Sequence, residues 1–183
     1  LSAAHLKSPK IAGLPPLTGG LVGFMGYDVV RRLERLPDLT TKDIPLPELS
    51  FMLTSDLAVL DHSDGTITLI ANAINWDGSD VRIDEAYESC VQRLDRMQAD
   101  LSTPLSGEAA AIPDFSLPDY IGNISGEQFK ENILKVKEEI LAGEAFQVVL
   151  SQRFAMPCQA DAIDVYRMLR LNNTSPYMYY LIQ

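Results

Sequence analysis

A helix gives way to extended chain in Gly143-Glu144-Ala145-Phe146-Gln147-Val148-Val149-Leu150-Ser151-Gln152-Arg153-Phe154. Gly143 is the residue type that ends helices in the left-handed conformation, and the β-branched run after it favours a strand. We therefore predict extended chain from Phe146 to Met156, where Pro157 ends it. This passage sets the order of elements in the last third of the chain.

A second segment follows a short predicted helix and reads Asn172-Asn173-Thr174-Ser175-Pro176-Tyr177-Met178-Tyr179-Tyr180-Leu181. It is a polar turn that leads directly into an aromatic-rich run, predicted as a strand. Such a turn presents backbone donors and acceptors beside bulky rings. That arrangement suits recognition of a small amphipathic ligand, and the alternative is an ordinary turn that enters a core strand.

Local signals place three helices and one further short helix. Ser125 and Gln128 form a capping box, and the apolar residues after it recur at helical spacing up to Gly143. A second amphipathic pattern predicts a helix from Ser79 to about Ser102. Asp28 is expected to cap a short helix over 29–36, and Asp161 a helix that precedes the polar turn.

Strand signals occupy much of the first half of the chain. Residues 19–28 alternate glycines with apolar residues, but they match neither a phosphate-binding loop nor a dinucleotide fingerprint. We interpret them as a strand whose glycines permit close backbone approach. Residues 49–62 predict one or two strands, and Asp64-Gly65 predicts a hairpin to the run 66–74. Antiparallel hairpins with helices between them indicate an α+β fold.

The predicted organisation is one partial domain over 1–183. Its segments are an irregular lead-in at 1–18, strands, hairpin and helix over 19–102, a Pro-rich linker or long loop at 103–119, and a helix-strand-helix-strand region over 120–183. The chain begins without methionine and stops at Tyr179-Tyr180-Leu181-Ile182-Gln183, inside a predicted buried strand. An unpaired apolar strand is an aggregation liability, so we expect its partner to come from a longer polypeptide.

Composition excludes several classes of protein. The chain is 46% hydrophobic and 22% charged, which is ordinary for a globular protein. Its net charge of −10 and dispersed Lys and Arg argue against nucleic-acid binding. No apolar run is long enough to cross a bilayer, and residues 1–7 lack the apolar core of a signal peptide. We expect a cytoplasmic protein, not bound to membrane, with Cys90 and Cys158 as reduced thiols.

No catalytic set can be assembled from these residues. His62 lies beside Asp61 and Asp64 at the predicted hairpin tip, where a solvated loop is the simpler explanation. Glu138, Glu139 and Glu144 are conceivable magnesium ligands, but charges on the outer face of an amphipathic helix usually face solvent. The sequence therefore predicts neither a catalytic site nor a metal site within residues 1–183.

The two segments quoted above, together with the glycine-rich strand at 19–28, resemble component I of anthranilate synthase, a family of chorismate-using enzymes. Phe146-Gln147-Val148-Val149 is similar to the family's helix-to-strand passage, and Thr174-Ser175-Pro176-Tyr177-Met178 to the turn that binds the inhibitor tryptophan. The resemblance covers most of the chain. It implies a helix-flanked sandwich of two large, mostly antiparallel sheets, of which this chain would supply a part.

The resemblance also implies an activity. The family are lyases that convert chorismate, with ammonia delivered from glutamine by an amidotransferase subunit (component II), into anthranilate and pyruvate, using Mg²⁺. Tryptophan inhibits by feedback and would contact Pro176, Tyr177 and Met178, with Asn173 and Ser175 as further candidates. Because Pro176 restricts Ser175 to extended geometry, nearby backbone groups can be held ready for the ammonium and carboxylate of an amino acid.

Two departures from the family pattern bear on these expectations. The family carries proline where this chain has Thr174, so we expect a less rigid turn and a different affinity for the inhibitor. The family's catalytic histidine, magnesium-binding glutamates and chorismate carboxylate clamps lie beyond Gln183, and an inhibitor-binding serine lies before Leu1. The resemblance therefore places no catalytic residue in this chain, which should be inactive alone.

Two other functions remain open from the sequence. Component I of aminodeoxychorismate synthase, in the folate branch, shares the fold and the substrate. Val148-Val149 and the Ser175-to-Met178 turn favour the tryptophan branch, because folate-branch enzymes tend to carry asparagine in the former run and to lose the latter. The third possibility is a noncatalytic amino-acid-binding module, which would have to fold cooperatively and bind tryptophan alone.

Overall fold

The computed structural model describes residues 9–104 and 119–182, and these form two compact units divided between those ranges. The described residues contain three α-helices and three antiparallel strand pairs, so the predicted α+β class is confirmed. The predicted linker at 103–119 lies outside the described residues except at its ends. Residues 9–18 of the predicted lead-in contain no helix or strand. One partial domain over 1–183 stays a prediction.

Two strand pairs build the first unit. Strand β1 (Gly20–Met25) pairs with β2 (Leu49–Thr54), and β3 (Asp56–Asp61) pairs with β4 (Thr66–Ala71). The predicted close approach occurs at Gly23, where a Cβ would lie 2.8 Å from the Cα of Phe51 and overlap the Ser50 carbonyl oxygen. The interpretation of 19–28 as a glycine strand is therefore confirmed over Gly20–Met25 but is wrong at Tyr27 and Asp28, which lie in a short helix. The region 49–62 contains two strands.

The β3–β4 hairpin turns where Asp64-Gly65 predicts it. Gly65 has a φ of 74°, and its amide donates to the Asp61 carbonyl at 2.9 Å. The Asp61 carboxylate accepts from the hydroxyl and amide of Ser63, and Asp64 accepts likewise from Thr66. These hydrogen bonds lower the pKa of both carboxyl groups below the ordinary value. The acidic residues around His62 are therefore explained by turn formation.

Helix α1 (Ile83–Ser102) packs against β4 and begins later than the predicted Ser79. The chain before it is held in a turn by Asp77, whose carboxylate accepts from the amide and hydroxyl of Ser79 and from Arg82, each at 3.0 Å. Residues that form this turn cannot also continue the helix backwards. Cys90 on α1, 8% exposed, is the only buried residue in the described part of the chain.

The short helix predicted over 29–36 with an Asp28 cap is wrong in type and bounds. The structure has a 3-10 helix from Tyr27 to Arg32, preceded by Gly26 as its N-terminal cap. The Asp28 carboxylate accepts from Arg31 Nε at 2.9 Å and makes no capping bond. The Asp28 carboxylate therefore pairs with Arg31, three residues later, and does not cap the helix.

The second unit begins with strand β5 (Ile121–Gly122), helix α2 (Gly126–Ala142) and strand β6 (Phe154–Ala155), where β5 pairs with β6. The Ser125 side chain accepts from the Gln128 amide, and Gly143 ends α2 with a φ of 85°. Both signals are confirmed. The reciprocal half of the capping box is wrong, since the Gln128 side chain contacts Glu131 and Asn132 instead.

Two strand predictions in this unit are also wrong. Of the run 146–156, only Phe154 and Ala155 form a strand among the described residues, because β5 offers a partner of two residues. Residues 179–182 form no strand, and Tyr179 and Ile182 are 76% and 77% exposed. Gln183 lies outside the described residues. Strand formation needs a pairing neighbour, and neither run has one in the described structure.

Candidate functional site

The polar turn follows helix α3 (Ala162–Asn172). Asp161 occupies the N-cap position of this helix, but its side chain makes no capping hydrogen bond. Three successive residues donate hydrogen bonds to three successive carbonyls of the last helical turn. The side chain of Asn172 donates to Met168 at 3.0 Å, the amide of Asn173 to Leu169 at 2.8 Å, and the hydroxyl of Thr174 to Arg170 at 2.9 Å. The Leu169 and Arg170 carbonyls are among the last four of the helix, which would otherwise lack partners within it.

The five predicted inhibitor-binding residues lie together in this turn, directly after α3. Asn173, Ser175, Pro176 and Tyr177 are exposed, with Tyr177 at 92%, while Met178 is half-buried. Within the described part of the chain, the backbone amides of Tyr177 and Met178 make no hydrogen bond. The turn therefore offers free donors, an exposed aromatic ring and a thioether within two consecutive residues.

The chain beyond the turn returns to α3 through an aromatic contact. The rings of Tyr166, on α3, and Tyr180 lie with centroids 6.0 Å apart and planes inclined by 40°. This is within the range in which aromatic pairs attract. The turn is thus attached to α3 on both sides, by hydrogen bonds before it and by an inclined pair of rings after it.

The hydroxyl of Thr174 is a feature that our sequence reasoning missed. The resemblance marks Thr174 only as the loss of a proline, but its side chain closes a hydrogen bond to the helix. The available signal was local, because Asn and Thr after a helix have side chains that can reach its last carbonyls. The contact of Tyr166 with Tyr180 had no comparable signal in the sequence.

A second concave feature lies in the first unit, between the loop 73–79 and the first turns of α1. It is a cavity of about 710 Å³, lined mainly by apolar side chains that include Trp76, Tyr87 and Cys90. Part of its polar lining is already engaged, because Asp77 pairs with Arg82 and binds Ser79.

Magnesium ligands were also sought among the acidic residues. Glu138 and Glu139 lie exposed on α2, and Glu144 lies exposed just after it. Nowhere in residues 9–104 and 119–182 do three His, Cys, Asp or Glu side chains gather in an arrangement that could hold a metal ion. The residues present do not fit a magnesium site. None of the helices in these ranges is long and apolar enough to cross a membrane.

Comparison with known proteins extends this description to the whole chain. Residues 2–183 match the family of chorismate binding enzymes. The chain is 53% identical over 178 residues to anthranilate synthase component 1 of Mycolicibacterium smegmatis, covering 96% of this chain and 33% of that protein. It is 52% identical over 171 residues to the same component of Mycobacterium tuberculosis H37Rv, covering 92% of this chain and 33% of that protein.

A solved structure agrees with these sequence relatives. The crystal structure of anthranilate synthase component I from Streptococcus pneumoniae TIGR4 superposes with a TM-score of 0.78 at 29% identity, covering 94% of this chain and 38% of that one. Its fold supports the α+β class. The chain spans about a third of the length of the curated relatives that it matches. Since the family match covers nearly every residue, the chain belongs to the chorismate binding enzymes.

Proposed function

We propose that the chain is part of component I of an anthranilate synthase, which converts chorismate and ammonia into anthranilate and pyruvate in tryptophan biosynthesis. The proposal is supported by 53% and 52% identity to proteins of that name across almost the whole chain. It is supported as well by the likeness in fold to a third. Because the chain spans a third of those relatives, the reaction belongs to the longer protein.

The contribution of these residues is a scaffold and part of a feedback site for tryptophan. The observation that carries this proposal is the pair of free backbone amides at Tyr177 and Met178, set beside an exposed ring. Amide N–H groups are suited to a carboxylate, and carbonyls near Pro176 to an ammonium group. Tyr177 and Met178 supply aromatic and polarizable surface for an indole.

Inhibition at a distance requires that tryptophan bind one conformational state of the enzyme better than another. The turn is attached to α3 on both sides, so a change in the turn is passed first to that helix. We therefore assign α3 as the element that responds to the inhibitor.

The remaining components of the reaction act outside the described residues. An amidotransferase subunit, component II, would deliver ammonia from glutamine. Magnesium would hold a substrate carboxylate and ease loss of the leaving group, but residues 9–104 and 119–182 offer it no ligand set. The assembly is expected in the cytoplasm, where chorismate would be consumed.

The test is an assay of the full-length protein with its amidotransferase subunit. Chorismate and glutamine should yield fluorescent anthranilate, and tryptophan should suppress the rate. A product that is 4-amino-4-deoxychorismate would instead assign the enzyme to the folate branch. Failure to consume chorismate with either glutamine or ammonia as the nitrogen source would refute the enzyme proposal.

A noncatalytic amino-acid-binding module is the second candidate function. It would require these residues to fold without the rest of the protein. Only Cys90 is buried among the described residues, while many large apolar side chains are exposed, including Leu141, Phe146 and Leu171. Burial on this scale does not support an independent module.

A further inference from the structure

The side chains of Asn172 and Thr174 bond carbonyls of α3, not the proposed ligand. We infer that the hydroxyl of Thr174 is a positioning group, which fixes the Ser175–Met178 turn on α3 in the geometry that accepts tryptophan. Asn172 assists by the same kind of contact. This inference rests on the proposed tryptophan site. It adds the element by which the turn is held.

The geometry favours positioning over general stability. Asn172 and Thr174 are both exposed, so losing either hydrogen bond should leave the helix folded. Water cannot, however, fix the direction in which the chain leaves α3. With the hydroxyl of Thr174 bonded to Arg170, the chain leaves the helix along one path, and Pro176 follows two residues later with its φ restricted. The orientation of the Tyr177 and Met178 amides follows from that path.

The same position can be stiffened in two chemically different ways. A proline there would restrict the backbone through its ring. Thr174 restricts it through a hydrogen bond that can open and close. The turn of this protein is therefore held by a breakable contact, and inhibitor affinity depends on how often that contact is closed.

The experiment uses the full-length enzyme with its amidotransferase subunit. Thr174→Val keeps the side-chain shape and removes the hydroxyl. Thr174→Ser keeps the hydroxyl without the methyl group, and Thr174→Pro introduces the pyrrolidine ring. For each variant, the dissociation constant of tryptophan is measured by calorimetry, and inhibition is expressed relative to that variant's own rate without tryptophan.

The chain offers a matched control at the end of α1. There the hydroxyl of Thr103, the residue directly after α1, donates to the Ala99 carbonyl at 3.0 Å, and donor and acceptor are four residues apart as they are for Thr174 and Arg170. Thr103→Val removes an equivalent exposed hydrogen bond in the other unit. A general effect on helix ends would appear in both variants, whereas a positioning effect would appear in Thr174→Val alone.

We expect Thr174→Val to weaken tryptophan binding about two- to tenfold, the factor that corresponds to one net hydrogen bond. Thr174→Ser and Thr174→Pro should bind as the wild type does or more tightly, and Thr103→Val should equal the wild type. Equal binding by Thr174→Val and wild type overturns the inference and leaves the tryptophan site standing. A wild-type enzyme that does not bind tryptophan overturns both.

Discussion

Met178 and Tyr177 are neighbours in the turn with unlike surroundings. Tyr177 is almost fully exposed, whereas Met178 is half-buried, so only the thioether side chain is already oriented by the protein. A ligand ring that contacts Met178 gains from a side chain that has lost part of its conformational freedom before binding. At the proposed tryptophan site we therefore expect Met178 to supply the larger share of the apolar contact.

We expect Met178→Ala to raise the tryptophan concentration for half-inhibition about tenfold, since the lost contact corresponds to roughly half of a fully buried Met side chain. The assay is anthranilate formation by the full-length enzyme, expressed relative to each variant's own uninhibited rate. Met156→Ala is the control, because Met156 lies in the same unit but outside the turn. Unchanged inhibition of Met178→Ala would remove Met178 from the proposed site.

Asp77 is the residue for which the structure makes a prediction about pH. Hydrogen bonds from the Ser79 amide, from Arg82 and from the Ser79 hydroxyl lower the pKa of its carboxyl group to about 2. A carboxyl whose pKa is lower in the folded state stabilises the fold above its unfolded pKa. This contribution should disappear as the pH falls from about 4 towards 2.

Carboxyl-carbon NMR of the full-length protein can test this directly. The Asp77 signal, assigned through Asp77→Asn, should titrate with a midpoint near 2. Arg82→Gln should raise the midpoint but leave it below the ordinary range, because the Ser79 amide is the largest cause and remains. A midpoint near 4 in the wild type would mean that the turn before α1 is not held by Asp77.

Elements differ in how far the sequence determines them. The cap at Ser125, the stop at Gly143 and the hairpin at Asp64-Gly65 are correct because each depends on contacts within a few residues. The predicted strands at 146–156 and 179–182 fail because a strand depends on a distant partner, which local pattern does not reveal.

The candidate site shows the same division at the level of its parts. The turn and its five residues were identified by resemblance, and the structure places them together at the end of α3. The bond from Thr174 to Arg170 was accessible to local reasoning, since donor and acceptor are four residues apart. The pairing of Tyr166 with Tyr180 could not be predicted in this way, because it depends on the path of the chain after the turn.

Helix α1 is joined to the strands of its unit through Arg93. The guanidinium bonds the Asp56 carboxylate and, at 2.9 Å, the Asn72 carbonyl. The Asn72 side chain in turn donates to the carbonyls of Thr18 and Ser55 at 2.7 and 2.9 Å. One polar network thus ties α1 to the start of β3, the end of β4 and the segment before β1.

Arg93→Leu should loosen α1 from these strands by about 1–3 kcal/mol, because it leaves a half-buried carboxylate and a carbonyl without their partner. Hydrogen exchange of the full-length protein should then be faster in α1 and β4. Arg96→Leu on the same helix is the control, since Arg96 has no ion pair among the described residues. Equal exchange in the two variants would show that the network does not hold α1.

At the scale of the whole molecule, apolar exposure dominates the described residues. Large side chains such as Leu33, Val149 and Leu171 are more than three-quarters exposed, and Cys90 alone is buried in the part of the chain that the structure describes. Fully burying such a side chain contributes about 1.5–3 kcal/mol, while ordering each residue's backbone opposes folding by about 1–2 kcal/mol. With so little apolar surface buried, the favourable contribution cannot offset the entropy of ordering the described residues.

We therefore expect the isolated 183-residue chain not to fold cooperatively. It should bind a hydrophobic dye, show a broad urea transition and lack dispersed side-chain NMR signals. The full-length protein, measured in parallel, should unfold sharply and bind no dye.

The isolated chain also distinguishes the two functional proposals. A cooperative transition together with tryptophan binding by the isolated chain would favour the amino-acid-binding module. A molten chain would mean that α3 and its turn need the rest of the enzyme to reach the geometry in which tryptophan is bound.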